Sequence, residues 1–176
     1  MAGNVFSYQV LKDSTEHAVI KLTGLFDGTG GQEANNVRIQ ANTLYGALDS
    51  SKANLLSSTA NTGPLPYYGL SVFRVWGVNS SINGSAELFW TADTKKTIMY
   101  VAGGTDYDGY GNWLSIPNNA QGTANCRGDI GVSTTGMSAN DAYTIVIELR
   151  KDNAMYQRGQ FNDPAAFNYN QYTLRP

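Results

Sequence analysis

The stretch His17–Phe26 (HAVIKLTGLF) places Ala18, Ile20, Leu22 and Phe26 on one side of an extended chain, with Lys21 and Thr23 on the other. That two-residue period belongs to a half-buried β-strand, because successive side chains of a strand point to opposite faces. Ala142–Lys151 (AYTIVIELRK) repeats the alternation near the other end of the chain. That last segment alternates well enough to close a β domain.

Working outward, Val5–Leu11 (VFSYQVL) alternates, and Lys12–Thr15 supplies a turn before His17. Asp27–Asn36 (DGTGGQEANN) is a glycine-rich loop, and Val37–Ala41 a short strand. Tyr68–Val78 (YGLSVFRVWGV) is almost continuously apolar, the pattern of a strand covered on both faces. Asn79–Ser85 is a turn, with Asn83-Gly84 as a hairpin signal. Ala86–Thr91 and Thr97–Ala102 follow as strands, then a loop at Gly103–Gly111, an apolar piece at Trp113–Ile116 and a strand at Asp129–Ser133. Between residues 42 and 66 the only periodic hint is helical: Leu44, Leu48, Leu55 and Leu56. Seven to nine short strands with turn residues between them predict an all-β fold, a single β-sandwich or jelly-roll-like domain over residues 1–151.

Residues 152–176 (DNAMYQRGQFNDPAAFNYNQYTLRP) carry no helical or strand period over their length, yet hold Tyr156, Phe161, Phe167, Tyr169, Tyr172 and Leu174. Linkers that stay unfolded are poor in aromatics. The expectation is an extended C-terminal arm over residues 152–176, of which Gln157–Pro176 lies against a neighbouring subunit with Phe161, Phe167, Tyr169 and Tyr172 as anchors.

Composition narrows the function. Of the 176 residues only 15% are charged, and the net charge is −2. The polar character comes from Asn, Gln, Ser, Thr and Gly, and Lys95–Lys96 and Arg150–Lys151 are isolated pairs. This is not the basic footprint of a nucleic-acid binder. With one cysteine, Cys126, and one histidine, His17, neither a disulfide within the chain, nor a Cys/His metal shell, nor a Ser-His-Asp triad is expected. No cofactor is expected. The N-terminus MAGNVFSYQVLKDSTEH has no basic start and no long apolar run, so neither a signal peptide nor a membrane span is expected.

Individual motifs are weak. Gly28-Thr29-Gly30-Gly31 lacks the spacing of a phosphate loop. Asp106-Tyr107-Asp108-Gly109 looks like half of a calcium loop; a sandwich could bring Asp27 or Asp129 near, which leaves a weak site open. Arg127-Gly128-Asp129 leads straight into a strand and reads as chance. Asn79-Ser80-Ser81 and Asn83-Gly84-Ser85 read as surface turns. Tyr107, Tyr110 and Trp113 suit a subunit interface, since aromatics with polar tips are favoured there; a sugar-stacking platform is the competing reading. Trp76 and Trp90 read as core. Glycosidic chemistry needs two carboxylates held in unlike environments; Glu87 and Glu148, in strands, alternate onto the solvent side, so no enzyme is expected.

Three stretches together resemble small virion structural proteins of tailed bacteriophages, of the type found in phages of marine bacteria and cyanobacteria. They are LKDSTEHAVIKLTGLFDGTG, SVFRVWGVN with AELFWTADT, and GDIGVSTTGMSANDAYTIVIELRK, spanning roughly residues 9–151. The long aromatic arm departs from that pattern. The resemblance implies a non-enzymatic all-β protein present in many copies, made in the host cytoplasm and built into the virion. Its partners would be copies of itself and other virion proteins, either the major capsid protein or neck and tail proteins. Capsid decoration is the leading expectation, a neck or tail component the alternative, and a carbohydrate-binding module of a tail fibre the third.

Overall fold

Two antiparallel sheets pack face to face in a computed structural model that describes residues 3–47, 67–109, 114–151 and 156. The strands are β1 (Val5–Asp13), β2 (His17–Leu25), β3 (Asn36–Ile39), β4 (Leu70–Asn79), β5 (Ser85–Trp90), β6 (Lys96–Val101), β7 (Gly104–Asp108), β8 (Ile130–Thr135) and β9 (Ala142–Lys151). The larger sheet has the order β1-β2-β9-β4-β7 and the smaller β3-β8-β5-β6. The all-β sandwich is therefore as expected, and β2 and β9 are neighbours, paired from His17↔Arg150 to Leu25↔Ala142. Among the described residues the helical parts are a 3-10 turn at Ala41–Thr43 and the single residue Gly109. No helix among them is long and apolar enough to cross a membrane.

The alternation read in β2 is the alternation of burial. Ala18, Ile20 and Leu22 face inward with Val75, Ile145 and Ile147, and meet Leu88, Trp90, Ile130 and Val132 of the smaller sheet. Burial of apolar area on this scale is the main stabilising term of such a fold.

Four local expectations are corrected. β4 is not covered on both faces: Trp76 and Val78 are exposed, and Trp76 is not a core residue. A bulge between Val72 and Arg74 exchanges the faces, so Val75 and Gly77 turn inward and Trp76 outward. Gly104–Asp108, read as a loop, is the edge strand β7, paired to β4. Glu87 is buried rather than solvent-facing. Asn79, read as part of a surface turn, is also buried; its Nδ2 donates to the carbonyls of Gly84 and Val101 at 3.0 and 3.2 Å. Trp90 is core as expected, fully buried.

Candidate functional site: an open sheet edge and the root of the C-terminal segment

Among the described residues β1 is an edge of the larger sheet, with β2 beside it. Val5, Tyr8, Val10 and Leu11 are 60%, 41%, 44% and 50% exposed. The register explains why. Phe6, Tyr8 and Val10 oppose Gly24, Leu22 and Ile20 and so share the inward face, yet only Phe6 is drawn into the core. The smaller sheet does not cover Tyr8 and Val10. On the outward face Val5 opposes Leu25, which is exposed as well. Among the described residues no strand pairs with the outer side of β1, which carries apolar side chains on both faces.

At the far end of β1 a buried cluster surrounds the last residue of β9. Lys151, the last residue of β9, is fully buried; its Nζ donates to Asp13 Oδ1 at 2.6 Å and to the carbonyls of Ser14 and Tyr45 at 2.6 and 2.8 Å. Three acceptors satisfy the three donors of an ammonium. Burial nonetheless pushes the lysine pKa down, against the upward pull of Asp13. Asp13 Oδ2 accepts the Tyr45 amide at 2.7 Å. Tyr156 lies beyond the last strand, within the stretch expected to be arm, but its side chain belongs to the core: fully buried, its ring is 5.6 Å from Tyr68 and 5.1 Å from Lys151 Nζ. Its hydroxyl donates to Ala41 O at 2.9 Å, and its backbone bridges Ala47. Burial, then the carboxylate of Asp129, drive its hydroxyl pKa far upward.

A second buried cluster holds the opposite corner. Tyr143 donates to Glu33 Oε2 at 2.5 Å, and Arg38 donates to Glu33 Oε1 through two of its nitrogens. The Arg38 guanidinium also lies 4.4 Å from the Phe6 ring centroid, which pins the start of β1.

Of the residues singled out from sequence, Tyr107 lies in β7 opposite Val75; it packs against the core and donates its hydroxyl to Leu114 O at 2.8 Å. Tyr110, Trp113, Phe161, Phe167, Tyr169 and Tyr172 lie outside the described residues. The aspartates have separate duties. Asp27 is held below the usual carboxylate range by hydrogen bonds from the Thr29 hydroxyl and the Thr29 and Gly30 amides. Asp129 is raised by burial and accepts the Ala41 amide at 2.7 Å. Asp106 and Asp108 oppose Trp76 and Arg74 on β4. No group of three or more His, Cys, Asp or Glu suited to a metal ion occurs among the described residues.

Glu87 accepts from Lys95 at 2.7 Å and Thr97 at 2.6 Å. Burial alone would raise its pKa, but these bonds and the Lys95 charge outweigh that and hold it low, the reverse of what a general acid needs. His17 Nδ1 is 3.3 Å from Glu148 Oε1, without the alignment of a hydrogen bond. Cys126 is buried, with Asn118 Nδ2 3.6 Å from its sulfur. Sequence reasoning passed over Asp13, Glu33, Tyr45, Tyr143 and Lys151. The one available signal was Lys151 itself, an inward-phase charge at the end of an otherwise apolar alternation.

Among the described residues this arrangement leaves the outer side of β1 without a paired strand and fixes Tyr156 in the core. In comparisons with known proteins, the chain matches no family model, no curated protein and no solved structure.

Proposed function

We propose that this chain is a non-enzymatic structural protein of a bacteriophage virion, a capsid decoration or minor capsid protein that works by association with neighbouring subunits. The observation that carries the association reading is the outer edge of β1, to which no further strand pairs among the described residues, with Val5, Tyr8, Val10 and Leu11 exposed along it. A long apolar edge is an aggregation liability in a solitary protein unless a partner covers it. The resemblance of residues 9–151 to small phage structural proteins supplies the virion context. The root of the C-terminal segment adds support, since Tyr156 and Lys151 anchor it beside Asp13.

Mass spectrometry of particles purified from lysed host culture tests the reading. The expected result is this chain in fixed stoichiometry with the major shell protein, retained after high-salt washing. A count matching a single ring would move it to the neck or tail, and absence from washed particles would refute the virion assignment.

A further inference from the structure

We propose that the folded domain closes an amide bond between the side chains of Asp13 and Lys151, tying the end of its first strand to the end of its last. The inference is independent of the association reading above. Lys151 Nζ lies 2.6 Å from Asp13 Oδ1, and the two side chains are 0% and 15% exposed. Three features make this pair more than a salt bridge. The nitrogen is held in place: it donates to the carbonyls of Ser14 and Tyr45 at 2.6 and 2.8 Å, while the Lys151 backbone amide donates to Glu16 O at 2.8 Å. The carboxyl is polarised: its other oxygen, Oδ2, accepts the Tyr45 backbone amide at 2.7 Å. The setting is apolar: the Tyr156 and Tyr45 ring centroids lie 5.1 and 5.9 Å from Nζ, and burial pushes the lysine pKa down, toward the free amine that can act as a nucleophile.

The step is a condensation. Nζ passes one proton to Asp13 Oδ1, which leaves a neutral amine beside a carboxylic acid. The nitrogen lone pair attacks Cγ, and the negative charge gathers on Oδ2, where the Tyr45 N–H already points; a donor fixed in advance at a developing oxyanion is the usual way such a barrier is lowered. A second proton moves from the nitrogen to Oδ1, the Cγ–Oδ1 bond breaks and one water molecule leaves. One C–N bond forms and one C–O bond breaks, with no oxidation or reduction. Bulk water opposes this reaction for a free amine and acid, but well-oriented groups in one molecule reach effective concentrations of ~10⁵–10⁸ M. Lys151 is out of contact with solvent, and the 15% exposure of Asp13 gives the released water a way out. The partners are 138 positions apart, so the bond would enclose nearly the whole described domain in one covalent loop, and long loops restrain the unfolded chain most.

The test uses the full natural chain, incubated folded at neutral pH, then denatured and weighed by mass spectrometry. The expected intact mass is lower than the sequence mass by one water molecule. Tryptic digestion should then yield a branched peptide joining residues 13–21 to residues 151–158, because an acylated Lys151 is no longer a cleavage site. Retention of the full mass overturns the proposal and leaves an ion pair. Loss of water without the branched peptide overturns it too, since an Asp-Gly pair such as Asp27-Gly28 or Asp108-Gly109 can lose water by closing a succinimide. The same chain held in urea should keep its full mass, and a link formed equally well there would remove the folded geometry as its cause. Lys151→Arg keeps the charge but should also keep the full mass; loss of water from that variant would place the bond elsewhere. Should the arginine chain fail to fold, the peptide map of the natural chain decides alone.

Discussion

Gly24 and Tyr143 face each other across the β2–β9 ladder, and the tyrosine ring occupies the space a side chain at Gly24 would need. A Cβ built on Gly24 would lie 2.4 Å from Tyr143 Cε1. The ring cannot easily retreat, because its hydroxyl is held by Glu33 and it packs against Phe26. Gly24→Ala should therefore cost about 1–3 kcal/mol, the usual range for overpacking. Thermal unfolding checks this: the midpoint should fall, and Tyr143→Leu in the same chain should relieve part of the loss.

Alkaline pH should unfold the protein steeply. Tyr143 and Tyr156 both have hydroxyl pKa values raised, foremost by burial. A group whose folded pKa is raised gives stability that is intact below its unfolded pKa, about 10 for tyrosine, and is lost as pH climbs toward the folded value. These two groups give a slope of about −2.7 kcal/mol per pH unit above pH ~10, and Tyr8, part-buried and raised in the same direction by burial and then Asp13, adds to it near the start of that range. Lys151, lowered by burial, acts in the opposite direction but only below its unfolded pKa of about 10.4, so it does not offset this loss. Urea midpoints measured with rising pH should follow that slope, and Tyr156→Phe should roughly halve it. A flat profile across this range would show that the two hydroxyls ionise in the native state.

Lys151→Met should destabilise the domain by about 3–5 kcal/mol, since it strands the buried side of Asp13 and two carbonyls. Adding Asp13→Asn should recover part of that, giving a non-additive double-mutant cycle in chemical denaturation. Additive losses would mean that the two side chains are not energetically coupled.

Cys126 should not react with thiol reagents in the folded protein. It is buried, and burial, the largest influence on its pKa, pushes the thiol up and away from the reactive thiolate. Stopped-flow labelling should proceed at the rate of unfolding and become immediate in denaturant; fast native labelling would show that the 120–128 turn opens on its own.

β2 and β9 were legible because each buries one face, so the sequence must alternate. β7 was not, because an edge strand of Gly, Thr and Asp owes its conformation to the β4 ladder rather than to its own side chains. Trp76 was misplaced because the bulge at Phe73 leaves no mark in composition, yet it reverses the phase of everything after it in β4. Glu87 looked exposed because its cover, Lys95 and Thr97, arrives from the following turn and the next strand. The edge at β1 read simply as a strand: its alternation is real, but whether a second sheet covers Tyr8 and Val10 is set by the width of the other layer. Tyr156 was taken for arm because nothing local distinguishes an aromatic that turns back into the core from one that leaves it.

The anchoring of Tyr156 and Lys151 also has a mechanical meaning. β9 is hydrogen-bonded along its length to β2 on one side and β4 on the other. A pull on the chain beyond Tyr156 passes first into a ring locked between Tyr68 and Ala41, then into Lys151, and from there along the axis of β9. Load applied in that direction shears two ladders at once instead of peeling a strand off one bond at a time. A subunit held by its C-terminal segment would thus transmit tension through the middle of its larger sheet, and its β1–β2 hairpin would be loaded through the β2–β9 ladder as well as through the link from Lys151 to Asp13.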